Sequence, residues 1–324
     1  MSERIRLAQM RELPTLGLWV VICVVTGVAQ PKFFSASVFH SILLWMPLLL
    51  VVAMGEMMVI LTRGVDVSVG SMMGLAGMVV GIALRDHPGI GIYWATVLGM
   101  AVGAALGAVN GVLVAYGNVP AIVATLGTLG AYRGLVHIIS RGVQVDEYNL
   151  PRELGRWSID GPFGQTLVPW VVIFAVAAAV VTGLFLRFTR TGRDIYAVGG
   201  NREAARLRGI GVSRVTFLVY VLSGLGSGLA GVLYASRFGT INPAAIGSGF
   251  ELIAISAVVV GGVSVFGGSG TVGGVVVGCV LLGTISTALT VLNVAEAWQG
   301  TMYGVVILVA VILDKWMGEE LQLT

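Results

Sequence analysis

Charge is what this sequence has least of. Of 324 residues only 11% are Asp, Glu, Lys or Arg, 56% are hydrophobic, and the mean hydropathy is +0.94. A soluble domain carries about 25% charged residues, and a soluble core of this length could not hide so much apolar surface. Soluble enzymes, nucleic-acid binders and disordered chains are thereby excluded. The net charge of +3 does not point to nucleic acid, because in a membrane chain the position of each Lys and Arg matters more than their sum. Cysteine is equally scarce. Cys23 and Cys279 both lie in apolar runs and read as small buried thiols. His40, His87 and His137 are scattered, with no Cys or carboxylate at ligand spacing, so no metal site and no cofactor on this chain are expected. No Gly-xxxx-Gly-Lys-Ser/Thr loop occurs, so the chain has no phosphate cradle for ATP. No nucleophile–base–orienter set is visible, which leaves catalysis as the least supported role.

What is present is a series of apolar runs. They fall at 14–29, 38–61, 68–84, 90–115, 119–140, 167–187, 214–236, 251–266, 271–292 and 300–316. A membrane crossing takes about 20 apolar residues, so the expectation is an all-α polytopic protein of about ten spans. Those at 68–84 and 251–266 are short and read as broken or re-entrant helices. The basic start, Met1 to Pro14, resembles a secretory leader, but the many following runs favour a retained first span.

Orientation follows the basic residues. Arg187, Arg190, Arg193, Arg202, Arg206, Arg208 and Arg214 place seven of the 19 Lys and Arg residues within 187–214. That segment should face the cytoplasm, as should Arg4, Arg6 and Arg11. Six crossings separate the two, an even number, so the count agrees. Ten crossings put Asp314–Lys315 inside as well, which makes both termini cytoplasmic. The polar stretch 141–166, with Asp146, Glu147, Glu153 and Asp160, then falls outside.

Glycine is abundant, with 47 residues. Gly99, Gly103, Gly107 and Gly111 line one helix face. Gly70–Gly74, Gly77–Gly81, Gly130–Gly134, Gly224–Gly228 and Gly274–Gly278 repeat the spacing. Such stripes let helix backbones approach closely. A faint internal echo, Ser68-Val69-Gly70-Ser71 against Thr271-Val272-Gly273-Gly274, fits either a duplicated unit or chance.

Polar groups inside the spans are few. Glu56 lies about five residues before the inner end of its span, where it either lines an aqueous path or reaches headgroup water. Arg133 lies about 10 Å short of its outer span end. Glu251, at an outer helix start, is the expected ion-pair partner at that depth. Asp66 reads as a cap for the helix that follows, with Ser68 and Ser71 capping too or facing a pore. Phe266 to Thr271 forms a second glycine-rich turn.

The segment Gly192 to Ile210 has its own logic. Asn201 can cap a short helix, Glu203 favours its first turn, Ala204, Ala205 and Leu207 continue it, and Gly209 ends it. It is either a solvated basic loop or a helix that docks in a partner's groove.

The motifs Gly64-Val65-Asp66-Val67-Ser68-Val69-Gly70-Ser71, Pro120 to Leu129, the segment just described, Gly249-Phe250-Glu251-Leu252, Val260 to Ser264 and Gly267 to Gly270 occur in order along nearly the whole chain. Together they resemble the permease subunits of ABC importers for ribose, xylose and autoinducer-2. The resemblance implies one permease domain over 1–324, a cytoplasmic coupling loop at 188–213 and a periplasmic or extracellular loop at 141–166. It implies a coupling helix built from Asn201, Glu203, Ala204, Ala205, Arg206, Leu207 and Gly209, seated in a separate ATPase that carries ATP and Mg. The implied partners are that ATPase, a second permease (a copy or a sister chain), an extracytoplasmic sugar-binding protein and membrane lipid. The expected location is the cytoplasmic (inner) membrane.

Candidates to line the path are Glu56, Asp66, Ser68, Asn110, Thr125, Thr128 and Ser256. Two residues depart from the family pattern. Ile253 stands where Asp is common, and Glu56 stands where a small or neutral residue is expected. Residues 124–134 lean towards the autoinducer-2 and rhamnose branches. The alternative is an ion-coupled secondary transporter with Glu56 and Asp66 as proton carriers.

Overall fold

The structure, a computed structural model, describes residues 2–87, 89–162, 168–295, 298, 300–305 and 308. Among the described residues from Ser2 to Val291 there are twelve α-helices. They are α1 (Ser2–Ala29), α2 (Ala36–Leu61), α3 (Val69–Asp86), α4 (Ile92–Ala115), α5 (Ala121–Ser140), α6 (Arg152–Arg156), α7 (Trp170–Phe188), α8 (Arg190–Gly200), α9 (Arg202–Leu207), α10 (Val212–Phe238), α11 (Phe250–Val260) and α12 (Val272–Val291). Among the described residues there is no strand, only a lone antiparallel bridge between Val145 and Ile241.

Seven helices, α2, α3, α4, α5, α7, α10 and α12, are long and apolar enough to cross a membrane. Among the described residues, nine of the ten apolar runs hold one of the helices named above. The run at 68–84 is not broken: α3 has 18 residues, about 27 Å at 1.5 Å per residue. The run at 251–266 is cut short. α11 has 11 residues, about 17 Å against a hydrocarbon core of about 30 Å, and Gly261-Gly262 turns the chain out of it. The apolar part of α1, Thr15–Ala29, is also short, but it belongs to the body. Thr15 Oγ1 donates to the Val260 carbonyl at 2.8 Å, and Trp19 Nε1 donates to Thr284 Oγ1 at 3.0 Å. Of the tenth run, residues 300–305 are helical, while the rest, with Asp314–Lys315, lies outside the described residues.

α2 and α10 form the centre. Every α2 side chain from Met46 to Leu61 is buried, the pattern of a helix surrounded by others. α10 packs on α4 through facing glycines. A methyl group on Gly103 would strike the Gly224 carbonyl, one on Gly107 the Tyr220 carbonyl, and one on Gly228 the Gly99 carbonyl. Gly77 meets Gly231 of α10, and Gly278 meets Ala257 of α11, in the same way. The Gly70–Gly74 stripe packs on the turn at Ile246 and Gly247, which precedes α11. Gly130 and Gly134 of α5 meet nothing within 4 Å, so that stripe joins no helix among the described residues.

The bundle has two distinct ends. At one, residues 141–162 fold onto the end of α10: Val145 pairs with Ile241, and Ser236 Oγ donates to the Leu154 carbonyl at 2.7 Å. At the other, α8 and α9 lie against the last turn of α2.

Candidate functional site

The turn between α2 and α3 carries a buried polar cluster. The Asp66 carboxylate gathers donors from three elements. Oδ1 accepts the Ser68 N–H at 3.0 Å, the Ser68 hydroxyl at 2.7 Å and the Asn110 amide at 3.4 Å. Oδ2 accepts the Ser223 hydroxyl at 3.4 Å. Asn110 Nδ2 also donates to Ser68 Oγ at 2.7 Å. Glu56 Oε1 accepts the Asp66 backbone N–H at 3.1 Å. Glu56, Asp66, Ser68, Asn110 and Ser223 are all fully buried. Buried polar groups of this kind persist in membranes only when satisfied by neighbours or wetted. Glu56 Oε2, Asn110 Oδ1 and the Tyr220 hydroxyl have no partner among the described residues. They mark where a water or a polar solute would find hydrogen bonds.

Asp66 does not cap α3: Ser68 holds the N-cap position with no side-chain cap bond, and the Asp66 carboxylate instead closes the turn ahead of the helix by accepting the Ser68 N–H. Ser71 caps nothing and donates to the Ser68 carbonyl at 2.8 Å. The remaining path candidates lie elsewhere. Thr125 reaches the edge of the turn, donating to the Val65 carbonyl at 3.3 Å and to its own helix at Ala121, 2.8 Å. Thr128 donates to the Thr125 carbonyl at 3.3 Å, and Ser256 to the Leu252 carbonyl at 2.6 Å, so both hydroxyls serve their own helices. Ser223 and Tyr220 are members that sequence reading missed. Each stands over 100 positions from Asp66, and nothing local in α10 announces their role.

Arg133 and Glu251 flank the Gly70–Gly74 face of α3. Arg133 Nη1 donates to the Ile246 carbonyl at 2.6 Å. Glu251 stands in the first turn of α11, where the helix end favours a carboxylate. The two charges sense one another without a direct ion pair.

The segment expected to hold one short helix holds two, broken at Asn201. Thr189 caps α8 by accepting the Gly192 N–H at 2.9 Å, and Asn201 caps α9 by accepting the Ala204 N–H at 3.0 Å. Gly209, at φ 76°, ends α9 as expected. Ala205 is buried beneath α9, Glu203 and Arg206 pair on its surface at 2.9 Å, and Leu207 stands 90% exposed. A leucine so exposed at the end of a capped helix is an unused apolar contact. Tyr196 of α8 donates to the Gly270 carbonyl at 3.0 Å, and burial raises its phenol above the ordinary value, so it remains a neutral donor.

These features define a multi-pass membrane transport subunit with a polar centre and an exposed helix at one end. The chain belongs to the family described as branched-chain amino acid transport system / permease component, which it matches over residues 38–311. It is similar to the Ribose import permease protein RbsC of Escherichia coli K12, 37% identical over 308 residues, 94% of each chain. It is also similar to the Autoinducer 2 import system permease protein LsrC of Yersinia enterocolitica, 36% identical over 304 residues, 94% of this chain and 82% of the relative. The LsrC of an Enterobacter species is 36% identical over 309 residues. No solved structure matches the chain.

Proposed function

We propose that this chain is the permease subunit of an ATP-driven importer for a monosaccharide or an autoinducer-2-like sugar. The similarity to import permeases named for ribose and autoinducer-2 supports the cargo class. The observation that carries the mechanism is α9: a capped helix with Leu207 exposed and a surface Glu203–Arg206 pair, braced from below by α8. Such a helix gains little by standing alone and much by entering a groove. The occupant is a separate ATPase on the cytoplasmic side, where the arginine-rich segment belongs. Ten spans with both termini inside fit that orientation, and the 141–166 segment then faces the binding protein. Two permease subunits flank the path, and closure of the ATPases shifts α9 and the helices joined to it between outward and inward access.

The test is uptake of radiolabelled ribose and autoinducer-2 in vesicles carrying the full complex. Uptake is expected to require the ATPase and to survive collapse of the proton gradient. In Glu203→Arg the membrane-inserted protein should persist while solute moved per ATP falls by roughly the 5–150-fold that coupling between sites carries. Normal transport in that variant removes the coupling assignment. Ion-coupled transport by Glu56 and Asp66 is the second reading, favoured by the unpartnered, fully buried Glu56 Oε2. Uptake driven by a proton gradient without the ATPase would select it.

A further inference from the structure

The α8–α9 junction and the α2–α3 turn cap each other's exposed carbonyls. Arg63 follows α2 and sends its guanidinium to the end of α8: Nε donates to the Gly199 carbonyl at 2.6 Å and Nη2 to the Gly200 carbonyl at 2.7 Å. Arg202, the first residue of α9, returns the contact, with Nη2 donating to the Thr62 carbonyl at 3.0 Å. The preceding carbonyl, Leu61, accepts the Gly268 N–H at 2.9 Å, which brings in the second glycine-rich turn. The last carbonyls of two helices are thus satisfied by side chains or backbone from the opposite element. The fit is close, since a methyl group on Gly199 would strike the Leu61 carbonyl.

Arg63 also holds a backbone that does not suit it. Its φ is 64°, the left-handed region where a helix-ending residue is usually glycine. A glycine is available one position later, at Gly64, yet the arginine occupies the strained position. From that position its guanidinium spans both α8 carbonyls.

We propose that Arg63 and Arg202 form a reciprocal clasp that makes α9 and the Asp66 turn move as one body, so that displacement of the docking helix reaches the buried cluster directly. Only Gly64 and Val65 separate Arg63 from Asp66, and the backbone N–H of Asp66 is held by Glu56. The two arginines are positioning residues: they need touch neither the solute nor the ATPase. The inference rests on the permease reading above and deepens it.

The experiment places spin labels at Arg208→Cys, an exposed residue at the end of α9 that is not the proposed docking contact, and Val67→Cys after removal of Cys23 and Cys279, in the complex assembled with its ATPase. It reads the label-to-label distance without nucleotide and with ATP trapped, which requires no knowledge of the solute. In the parent complex the distance should not change with ATP. In Arg63→Gln it should change, and solute moved per ATP should fall roughly tenfold, within the usual range for inter-site coupling. Arg63→Lys, a point charge without the fork, should give an intermediate value. A distance that changes with ATP in the parent, or that stays constant in Arg63→Gln, overturns the clasp. Arg202→Gln, which removes only the Thr62 bond, is read by the same rule should Arg63→Gln not reach the membrane. A parent chain that binds no ATPase overturns the permease reading and the clasp with it, whereas an unaltered variant overturns the clasp alone.

Discussion

Gly103→Leu is expected to prevent accumulation of the folded protein in the membrane. At this position α4 and α10 touch backbone to backbone, and a Cβ would meet the Gly224 carbonyl and lie 2.7 Å from the Gly228 Cα and N. Where a side chain is overpacked, rotation of the neighbour limits the cost to about 1–3 kcal/mol. Here the neighbour is main chain and cannot rotate away. The helices would have to part along the whole stripe from Gly99 to Gly111, losing the dispersion contacts that hold membrane helices together. Gly103→Ala should already lower the melting temperature in detergent. Gly130→Leu is the control, since its Cβ meets nothing within 4 Å among the described residues. A Gly103→Leu protein that melts like the parent would refute the seam.

Asp66→Leu should be nearly as damaging, for an electrostatic reason. It removes the acceptor of the Ser68 N–H, the Ser68 hydroxyl and the Ser223 hydroxyl, all fully buried. Each buried donor left without a partner costs about 1–3 kcal/mol, and no bulk water is at hand inside the membrane to repair the loss. Asp66→Asn keeps one acceptor oxygen for Ser68 and an amide beside Ser223, so most of the stability should return. The comparison is made by melting in detergent. Equal melting of the leucine and asparagine variants would show that the cluster contributes little to the fold.

Much of this architecture was legible because the bilayer imposes a coarse grammar. The apolar runs marked nine helices, and the Gly99–Gly111 stripe marked the face of α4 that the structure packs on α10. Asp66, Ser68 and Asn110 could be singled out as polar residues in apolar surroundings. Their meeting could not be foreseen, because Asn110 lies 42 positions from Ser68, and Ser223 lies 157 from Asp66. Thr128 and Ser256 looked identical to them in sequence, yet each hydroxyl turns back to its own helix. Spacing is equally blind to partners. Gly130–Gly134 repeats the stripe of α4, but nothing among the described residues fills it. Asn201 announced its cap correctly, whereas the α8 helix before it was hidden by the adjacent Gly199 and Gly200. Arg202 read as a topology signal and Arg63 drew no reading of its own, and only the fold shows whose carbonyls they hold.

The central claim is that energy enters from the cytoplasm through α9, and labelling of Leu207→Cys tests it most directly. The side chain is 90% exposed, so its chemistry is not limited by the fold. In a background without Cys23 and Cys279, a membrane-impermeant maleimide should fail to label it in sealed right-side-out cells and label it fully in inverted vesicles. Addition of the ATPase to those vesicles should then protect it. Labelling from the outer face, or reactivity that the ATPase leaves unchanged, would contradict the account.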